Sequence, residues 1–378
     1  MEKCLVTKLN GSSDNSELLR VGEMRMNISK VENPTNATQG IAISVSKPVT
    51  LEIIGEGYFT DKNLTENKGK TLALNTGSTS IWVSNNDVEI GILDKYSLNS
   101  ISIIYQDVKV AYGLNKYFNI ADFKYSSSLT SLALDSTQVS GDIANLKNLT
   151  ALTNLALYNT KVSGDIANLK NLTALTSLYL SNTKVSGDIA NLKNLTALTR
   201  LSLSNTQVSG DIANLKNLTA LTRLALSNTQ VSGDIANLKN LTALTSLYLD
   251  STQVSGDVEA FSIMEYIGYI SLKNCTFTGD LSKIPDICKF VSFANNINTV
   301  LSWTNRPSTA YILAIEGNAK ITDVDKMLQD QAQCQIGYES SSPIWHKRIQ
   351  CVGNRTAASD AAVETLQSKG YTVSITPA

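Results

Sequence analysis

The sequence predicts an α/β solenoid with a parallel β-sheet on its concave face, preceded by a small β-rich, sandwich-like domain. Three observations support this fold class. The string Val-Ser-Gly-Asp recurs every 23 residues, beginning at Val139. Within each unit, alternating leucines are followed by a glycine and then by apolar residues at intervals of three. Upstream of residue 98, short β-branched runs alternate with clusters of Asn, Gly, Pro and Ser.

The N-terminal residues, 1–97, are predicted to form the β-rich domain. Their apolar residues alternate with polar ones or are β-branched, which favours short strands. Short strands separated by turn-forming residues are typical of a small sandwich. The pattern at 81–88 also fits an early repeat unit, and both interpretations are open there. The predicted strands lie at 24–28, 41–45, 49–54, 71–74 and 80–83.

The repeat unit that starts at Leu175 shows why the pattern favours a solenoid. Leu178 and Leu180 alternate with polar residues, so they lie on one side of a short strand. Gly187 allows a turn conformation that most residues avoid. The apolar residues that follow, at intervals of three, suit a helical turn behind the strand. One unit cannot bury its own apolar side, but stacked units bury a shared core and form a parallel sheet.

Written generically, the unit is LxxLxLxxTxVxGxI, which resembles the leucine-rich repeat family, in particular its bacterial or phage type. The resemblance implies a solenoid that binds its partner through the concave sheet, as bacterial surface and secreted binding proteins do. One position departs from the family, which usually has Asn in the ninth place. We expect a ladder of buried hydroxyl groups that bond the turn backbone instead. The ninth residues are Thr137, Thr160, Thr183, Thr206, Thr229 and Thr252.

The solenoid is predicted to span 98–355, with regular units at 129–266 and degenerate units on either side. Leu313-x-Ile315-x-x-Asn318 is interpreted as one of these degenerate units, with the family's usual asparagine at Asn318. An insertion, from Gln329 to Trp345 onward, precedes the last strand. Residues 356–378 are predicted to cap the sheet edge, because an unpaired edge invites pairing with other chains. The cap is a helix at 357–369, ended by Gly370, and a strand at 371–375.

Comparing the units with one another points to a binding surface. In the front half of the unit, positions three, five, seven, eight and ten differ between units, and the first three of these alternate with the buried leucines, so they line the exposed side of the concave sheet. The exposed back segments, in contrast, stay identical through the fifth unit. Tyrosine and arginine are favoured at binding hot spots, although random change on a solvated surface is the alternative explanation. The predicted ligand-binding residues are Asp135, Asn154, Tyr158, Tyr179, Arg200, Arg223, Tyr248, Asp250, Tyr269 and Lys273.

Composition argues against several other function classes. The 32 basic and 33 acidic residues give a net charge of −1, which disfavours nucleic-acid binding driven by bulk charge. The single histidine, His346, and five scattered cysteines leave little material for a metal site or a catalytic triad, and no phosphate-binding or nucleophile motif is found. The recurring Asp of each unit is interpreted as a turn cap, with a cation row as the weaker alternative. We therefore predict no enzyme activity, metal or cofactor, and mostly reduced thiols.

The predicted function is non-catalytic recognition of a protein or a glycan by the concave sheet. The alternatives are a structural spacer, in which only length matters, or a receptor-binding component of a phage tail or injection particle that is attached through the N-terminal domain. No apolar run reaches the ~20 residues of a membrane span. No secretion signal is recognisable. The predicted location is therefore the cytoplasm or a virion, or the cell surface if a signal has been removed.

Overall fold

A computed structural model describes the backbone of nine strands between residues 24 and 105, and residues 119–378 apart from 125, 128, 138, 297–298 and 337–346. Two predicted features, Cys4 and His346, lie outside the described residues. The chain divides into two compact units, Met1–Leu175 and Thr176–Ala378.

The first compact unit begins with antiparallel strands. β1, β8, β3 and β6 form one four-stranded sheet in that order. β2 pairs with both β7 and β9, and β4 joins β7 to β5. The antiparallel pairing of β7 shows that residues 81–83 do not form a repeat strand, whereas the sandwich packing and the predicted domain limits stay predictions. The bounds are β1 Met24–Ile28, β2 Gln39–Val45, β3 Val49–Ile54, β4 Phe59–Thr60, β5 Glu66–Asn67, β6 Thr71–Leu74, β7 Gly77–Val83, β8 Val88–Ile92 and β9 Leu98–Tyr105.

The repeat pattern starts within the same compact unit, Met1–Leu175. β9 pairs in parallel with β10, so that Ile101 lies opposite Leu132, and β10 pairs in parallel with β12. A second parallel pair joins β11 to β13. Each rear strand leads into a 3₁₀ helix. The bounds are β10 Ser131–Ala133, β11 Ser140–Asp142, β12 Asn154–Ala156 and β13 Lys161–Asp165, with 3₁₀ helices at Ile120–Phe123, Ile143–Leu146 and Ile166–Leu169.

The second compact unit contains two parallel sheets. The front sheet is made of β14, β16, β18, β20, β22, β24, β26, β28 and β29. The rear sheet is made of β15, β17, β19, β21 and β23. Short strands β25 and β27 pair with each other. The front strands are β14 Ser177–Tyr179, β16 Arg200–Ser202, β18 Arg223–Ala225, β20 Ser246–Tyr248, β22 Tyr269–Ser271, β24 Phe290–Phe293, β26 Ala314–Gly317, β28 Arg348–Val352 and β29 Thr372–Thr376. The others are β15 Lys184–Asp188, β17 Gln207–Asp211, β19 Gln230–Asp234, β21 Gln253–Asp257, β23 Thr276–Thr278, β25 Val300–Leu301 and β27 Lys320–Ile321.

Helices complete the second compact unit. 3₁₀ helices follow the rear strands, and two α-helices lie near the C-terminus. The second half of α1, from Gln329, falls in the region interpreted as an insertion, and α2 lies before the last strand. The 3₁₀ helices span Ile189–Leu192, Ile212–Leu215, Ile235–Leu238, Val258–Phe261, Leu281–Lys283 and Ala357–Ser359, and the α-helices are α1 Val324–Gln333 and α2 Asp360–Ser368.

The core is built from the same positions in every regular unit. In the unit from Leu175, the side chains of Leu178, Leu180, Ile189 and Leu192 are all fully buried. Alternation along the strand and a spacing of three in the 3₁₀ helix therefore direct the apolar side chains of both segments to one interior, as the pattern predicts.

The ninth-position threonines are buried, and each bonds the backbone of its own turn. Their hydroxyls donate to the carbonyl oxygen three residues earlier, at 2.6–2.7 Å. The predicted hydroxyl groups are thus present, and their bonds to the backbone close within single repeat units, while the Thr252 hydroxyl also lies 3.7 Å from Cys275 Sγ of the next unit. Asn296 behaves differently, since its Nδ2 donates to the Leu272 carbonyl of the preceding unit at 2.8 Å.

Replacing Thr206 by Val is expected to lower the free energy of unfolding by about 1–2 kcal/mol, because the methyl group leaves the Leu203 carbonyl without its hydroxyl donor. The exposed Thr219→Val is the control, with an expected change within about 0.5 kcal/mol. Urea unfolding of both variants measures the difference. Equal destabilisation by the two would contradict a structural role for the buried hydroxyl.

The recurring aspartates cap the 3₁₀ helices, which confirms the turn interpretation. Asp188 Oδ1 accepts a hydrogen bond from the Ala190 backbone N–H at 2.8 Å, and the other regular units repeat this bond. The following unit packs closely on this cap: a Cβ on Gly210, which has φ +109°, would lie 2.9 Å from Asp188 Cγ and overlap Oδ1. Within the described part of the chain, no three His, Cys, Asp or Glu side chains cluster in a way that could hold a metal ion.

The thiols are free and buried at Cys275, Cys288, Cys334 and Cys351. Burial raises the pKa of Cys288 to about 11 and that of Cys351 to about 12. Both groups therefore stay as neutral thiols at neutral pH.

The register of one degenerate unit differs from the sequence interpretation. β26 pairs Ile315 with Val291 and Gly317 with Phe293, so Ile315 occupies the fourth position and Gly317 the sixth. Asn318 is therefore in the seventh position, and its Oδ1 accepts from the Asn295 backbone N–H at 3.1 Å. The assignment of Asn318 as the usual ninth-position asparagine is wrong, because a glycine stands where the pattern requires a large apolar residue.

Candidate binding surface

The variable positions project from the outer side of the front sheet, as the alternation predicts. Leu201 and Leu224 are fully buried, whereas the neighbouring Arg200 and Arg223 are exposed. Arg200 lies directly opposite Arg223 in the sheet register, and Tyr269 lies opposite Ser246. Residues at the same position of successive units thus form columns, with about 4.8 Å between neighbouring strands.

Four side chains of this surface stack into a continuous row, here called the aromatic row: Arg223, Tyr248, Tyr269 and Phe290. The Arg223 guanidinium lies 4.4 Å from the centre of the Tyr248 ring, and its Nη1 donates to the Tyr248 hydroxyl at 3.1 Å. The Tyr248 and Tyr269 ring centres are 5.0 Å apart, and those of Tyr269 and Phe290 are 4.6 Å apart. Each tyrosine ring is therefore sandwiched between two neighbours, and these contacts hold it in a defined orientation.

A polar network lies beside the aromatic row. Asp250 accepts hydrogen bonds from the Ser271 hydroxyl at 2.5 Å and from the Lys273 backbone N–H at 2.9 Å. The Lys273 ammonium forms an ion pair with Glu316 at 3.1 Å, and Ser292 donates to the same carboxylate at 2.9 Å. The predicted residues Asp250 and Lys273 are thus bonded within the sheet, while 37% of the Lys273 side chain stays exposed.

The environment of Tyr269 favours its neutral form. Burial, followed by the electrostatic effects of Tyr248, Asp250 and Glu316, raises the pKa of the Tyr269 hydroxyl to about 12, while Arg223 acts in the opposite direction. The hydroxyl consequently remains a hydrogen-bond donor at neutral pH.

The two front-sheet arginines are cations without a carboxylate partner. Ion pairs within the described ranges join Lys273 to Glu316, Lys326 to Asp330 and Arg355 to Asp360, and neither Arg200 nor Arg223 takes part in one. Like charges this close repel one another mildly in water. The pair therefore offers unused donors for a negatively charged group.

The remaining predicted residues are placed as follows. Tyr179 is half-buried on β14. In the first compact unit, Asn154 Nδ2 donates to the Ser131 hydroxyl at 3.0 Å, and the side chain of Tyr158 is 38% exposed. Burial raises the pKa of Asp135, while its hydrogen bonds to the backbone and to Tyr158 oppose the shift. One carboxylate oxygen of Asp135 is buried without a hydrogen-bond partner.

An amide ladder, which the sequence interpretation missed, borders the front strands at the eighth position. Asn205 donates to Asn182 Oδ1 at 2.7 Å, and Asn228 donates to Asn205 Oδ1 at 2.8 Å. All three have a left-handed backbone with φ between 55° and 57°. The restriction of this position to Asn and Ser is the signal that could have revealed it, since Asn tolerates that conformation better than most residues.

The stacked units, each with a front strand, a rear strand and a 3₁₀ helix around buried leucines, define a leucine-rich repeat solenoid. Residues 173–217 match the family model described as Leucine Rich repeats (2 copies). This match confirms the leucine-rich repeats predicted from the sequence, and it points to no enzyme family. Within the described part of the chain, no helix combines the length and hydropathy that a bilayer crossing needs.

Solved structures with similarity to the chain include the following three. Internalin C2 from Listeria monocytogenes is 28% identical, over 48% of this chain and 74% of its own, with a TM-score of 0.39. The plant peptide hormone receptor RGFR1, solved in complex with RGF2, is 20% identical over 74% of this chain and 51% of its own, with a TM-score of 0.49. A plant ice-binding protein is 23% identical, over 55% of this chain and 65% of its own, with a TM-score of 0.38. No curated protein sequence matches the chain.

Proposed function

We propose that the protein is a non-catalytic binding protein that recognises a protein or a glycan through the outer side of its front sheet. The observation that carries this proposal is that the differences between units fall in the front half of the unit, and that three of the five variable positions, three, five and seven, project from that side. Placement on a bacterial surface or on a phage particle stays a prediction from the sequence.

Solvent exposure alone does not explain this concentration. The back segments carry exposed lysines that are the same in five successive units, together with the same flanking residues. If exposed positions changed only by drift, these lysines would differ between units as well. They are Lys147, Lys170, Lys193, Lys216 and Lys239.

The front sheet also has the physical character of a binding surface. Tyr248 and Tyr269 are held rigidly by stacking, so they present contact area at low cost in conformational entropy. Arg223 is fixed over Tyr248 and keeps unused donors. Rigid aromatic anchors beside cationic donors are the residue types that contribute most at protein interfaces.

A variant with Tyr179→Ala, Arg200→Ala, Arg223→Ala and Tyr248→Ala is expected to lose its ligand with little change in melting temperature, because these side chains lie outside the leucine core. Pull-down and glycan-array binding of the wild type and the variant measure the loss. The matched control carries Lys193→Ala, Lys216→Ala, Thr219→Ala and Lys239→Ala on the back segments and is expected to bind as the wild type does. Equal binding by all three proteins would refute the proposal and favour a spacer, which responds instead to the deletion of one 23-residue unit.

A further inference from the structure

We propose that the ligand of the front sheet is an acidic polypeptide segment, with its carboxylates bound by Arg200 and Arg223 and its backbone bonded by the hydroxyls of Tyr248 and Tyr269. This inference rests on the proposed function and names the chemical class of its partner. The same surface could otherwise take an acidic glycan, and the structure favours the polypeptide for the reasons below.

The first reason is the charge of the arginine pair. Arg200 and Arg223 lie side by side in register on β16 and β18 and have no carboxylate partner among the described residues. The nearby acids are already occupied, since Asp250 accepts from Ser271 and Glu316 pairs with Lys273. Asp250 accepts only from neutral donors and so keeps one negative charge nearby, which leaves the two arginines with an excess of positive charge on this part of the sheet. A guanidinium binds carboxylates through two parallel hydrogen bonds, so this site suits an anionic ligand.

The second reason is the orientation of the tyrosine rings. Binding of a sugar by an aromatic residue uses the open face of the ring, but both faces of each tyrosine in the aromatic row are covered. Arg223 and Tyr269 lie against the Tyr248 ring, and Tyr248 and Phe290 lie against the Tyr269 ring. The rings consequently have only their edges and hydroxyl groups left for a ligand.

The third reason is the chemistry of those hydroxyls. Tyr248 accepts a hydrogen bond from Arg223, which leaves its own proton free to be donated outward. Tyr269, on the next strand, keeps its proton at neutral pH. Two neighbouring donors beside a cationic pair match a chain that offers carbonyl oxygens at regular intervals together with carboxylates.

Binding of poly-L-glutamate and of polygalacturonate, a polyanionic glycan, is measured with the full chain at low and at physiological salt. We expect the wild type to bind poly-L-glutamate more tightly than polygalacturonate. Arg200→Gln with Arg223→Gln is expected to weaken poly-L-glutamate binding by about tenfold or more. Tyr248→Phe with Tyr269→Phe, which keeps the stacked rings, is expected to weaken it by about threefold.

The matched control is Lys193→Gln with Lys216→Gln, which removes the same charge from the back segments and is expected to change binding by less than about twofold. An equal loss in this control shows attraction by bulk charge and overturns the inference. Tighter binding of polygalacturonate, or binding of neither polymer, also overturns it. The proposed function is judged separately: a ligand that is lost in the four-residue front-sheet variant but kept in Arg200→Gln with Arg223→Gln sustains the proposed function and refutes the acidic polypeptide.

Discussion

Replacing Arg306 by Met is expected to lower the free energy of unfolding by about 3–5 kcal/mol. The side chain is 3% exposed and forms four hydrogen bonds to backbone carbonyls. Its Nη1 donates to Ile284 at 2.9 Å, its Nη2 to Pro285 and Cys288, and its Nε to Tyr311 at 3.2 Å. Methionine fills a similar volume but donates nothing, so four carbonyl oxygens lose the hydrogen bond from this side chain, and of these Pro285 keeps a second donor in the Cys288 backbone N–H.

Guanidinium chloride unfolding monitored by circular dichroism measures this effect. Arg306→Lys is the conservative comparison: it keeps a charge and up to three donors but lacks the planar fork, so it is expected to recover part of the loss. Arg200→Met makes the same change at an exposed site and is expected to cost less than about 0.5 kcal/mol. If Arg306→Met is as mild as Arg200→Met, the guanidinium does not hold the 284–288 segment in place.

Replacing Gly210 by Ala is expected to lower the free energy of unfolding by about 2–4 kcal/mol, from two causes. The backbone at Gly210 has φ +109°, a conformation that a Cβ disfavours. The new Cβ would also overlap Asp188 Oδ1, which caps the 3₁₀ helix of the preceding unit by accepting from Ala190. The aspartate would have to move away, and the cap would be lost.

A glycine elsewhere in the chain separates these two causes. Gly370 has φ +84° but nothing within 4 Å of the position that a Cβ would take, so Gly370→Ala reports the conformational cost alone, about 1–2 kcal/mol. Asp188→Ala combined with Gly210→Ala removes the overlapping atom and is expected to cost less than the sum of the two single changes by about 1 kcal/mol. Strict additivity in thermal or urea unfolding would show that the close packing of glycine on aspartate has no energetic role.

The regular units were predictable because a repeated sequence gives repeated local structure. Leu178 and Leu180 alternate along a strand, and Ile189 and Leu192 follow at a spacing of three, so the buried side of each segment can be read directly. The same alternation placed Arg200, Arg223, Tyr248 and Tyr269 on the outer side of the front sheet. The pattern could not predict which of these side chains stack and which form hydrogen bonds with one another, because both depend on the side-chain rotamers of residues on neighbouring strands.

The degenerate units were less predictable for identifiable reasons. In β26, Gly317 stands at a position that is normally leucine because the chain approaches the Phe293 backbone closely there, and the apolar period fails. Glu316 was missed as a member of the front sheet for the same reason. The second half of helix α1 falls in the predicted insertion, and two of its buried positions there are polar: Asp330 accepts from Trp303 Nε1 at 3.0 Å, and Gln331 bonds both backbone groups of Leu313. Buried polar residues with local partners remove the signal on which helix prediction depends.

The glycine of one repeat unit packs on the aspartate of the unit before it in closely similar ways, for example Gly210 on Asp188 and Gly233 on Asp211. Boundaries built alike make these repeat units interchangeable. Excising or inserting a whole unit creates a junction that the protein already contains, so it introduces no new packing problem. The front sheet can thus be lengthened or shortened in steps of about 4.8 Å. The separation between a contact on one repeat unit and a contact several units away is then an integer number of such steps. The number of repeat units between two contacts therefore sets the distance between them.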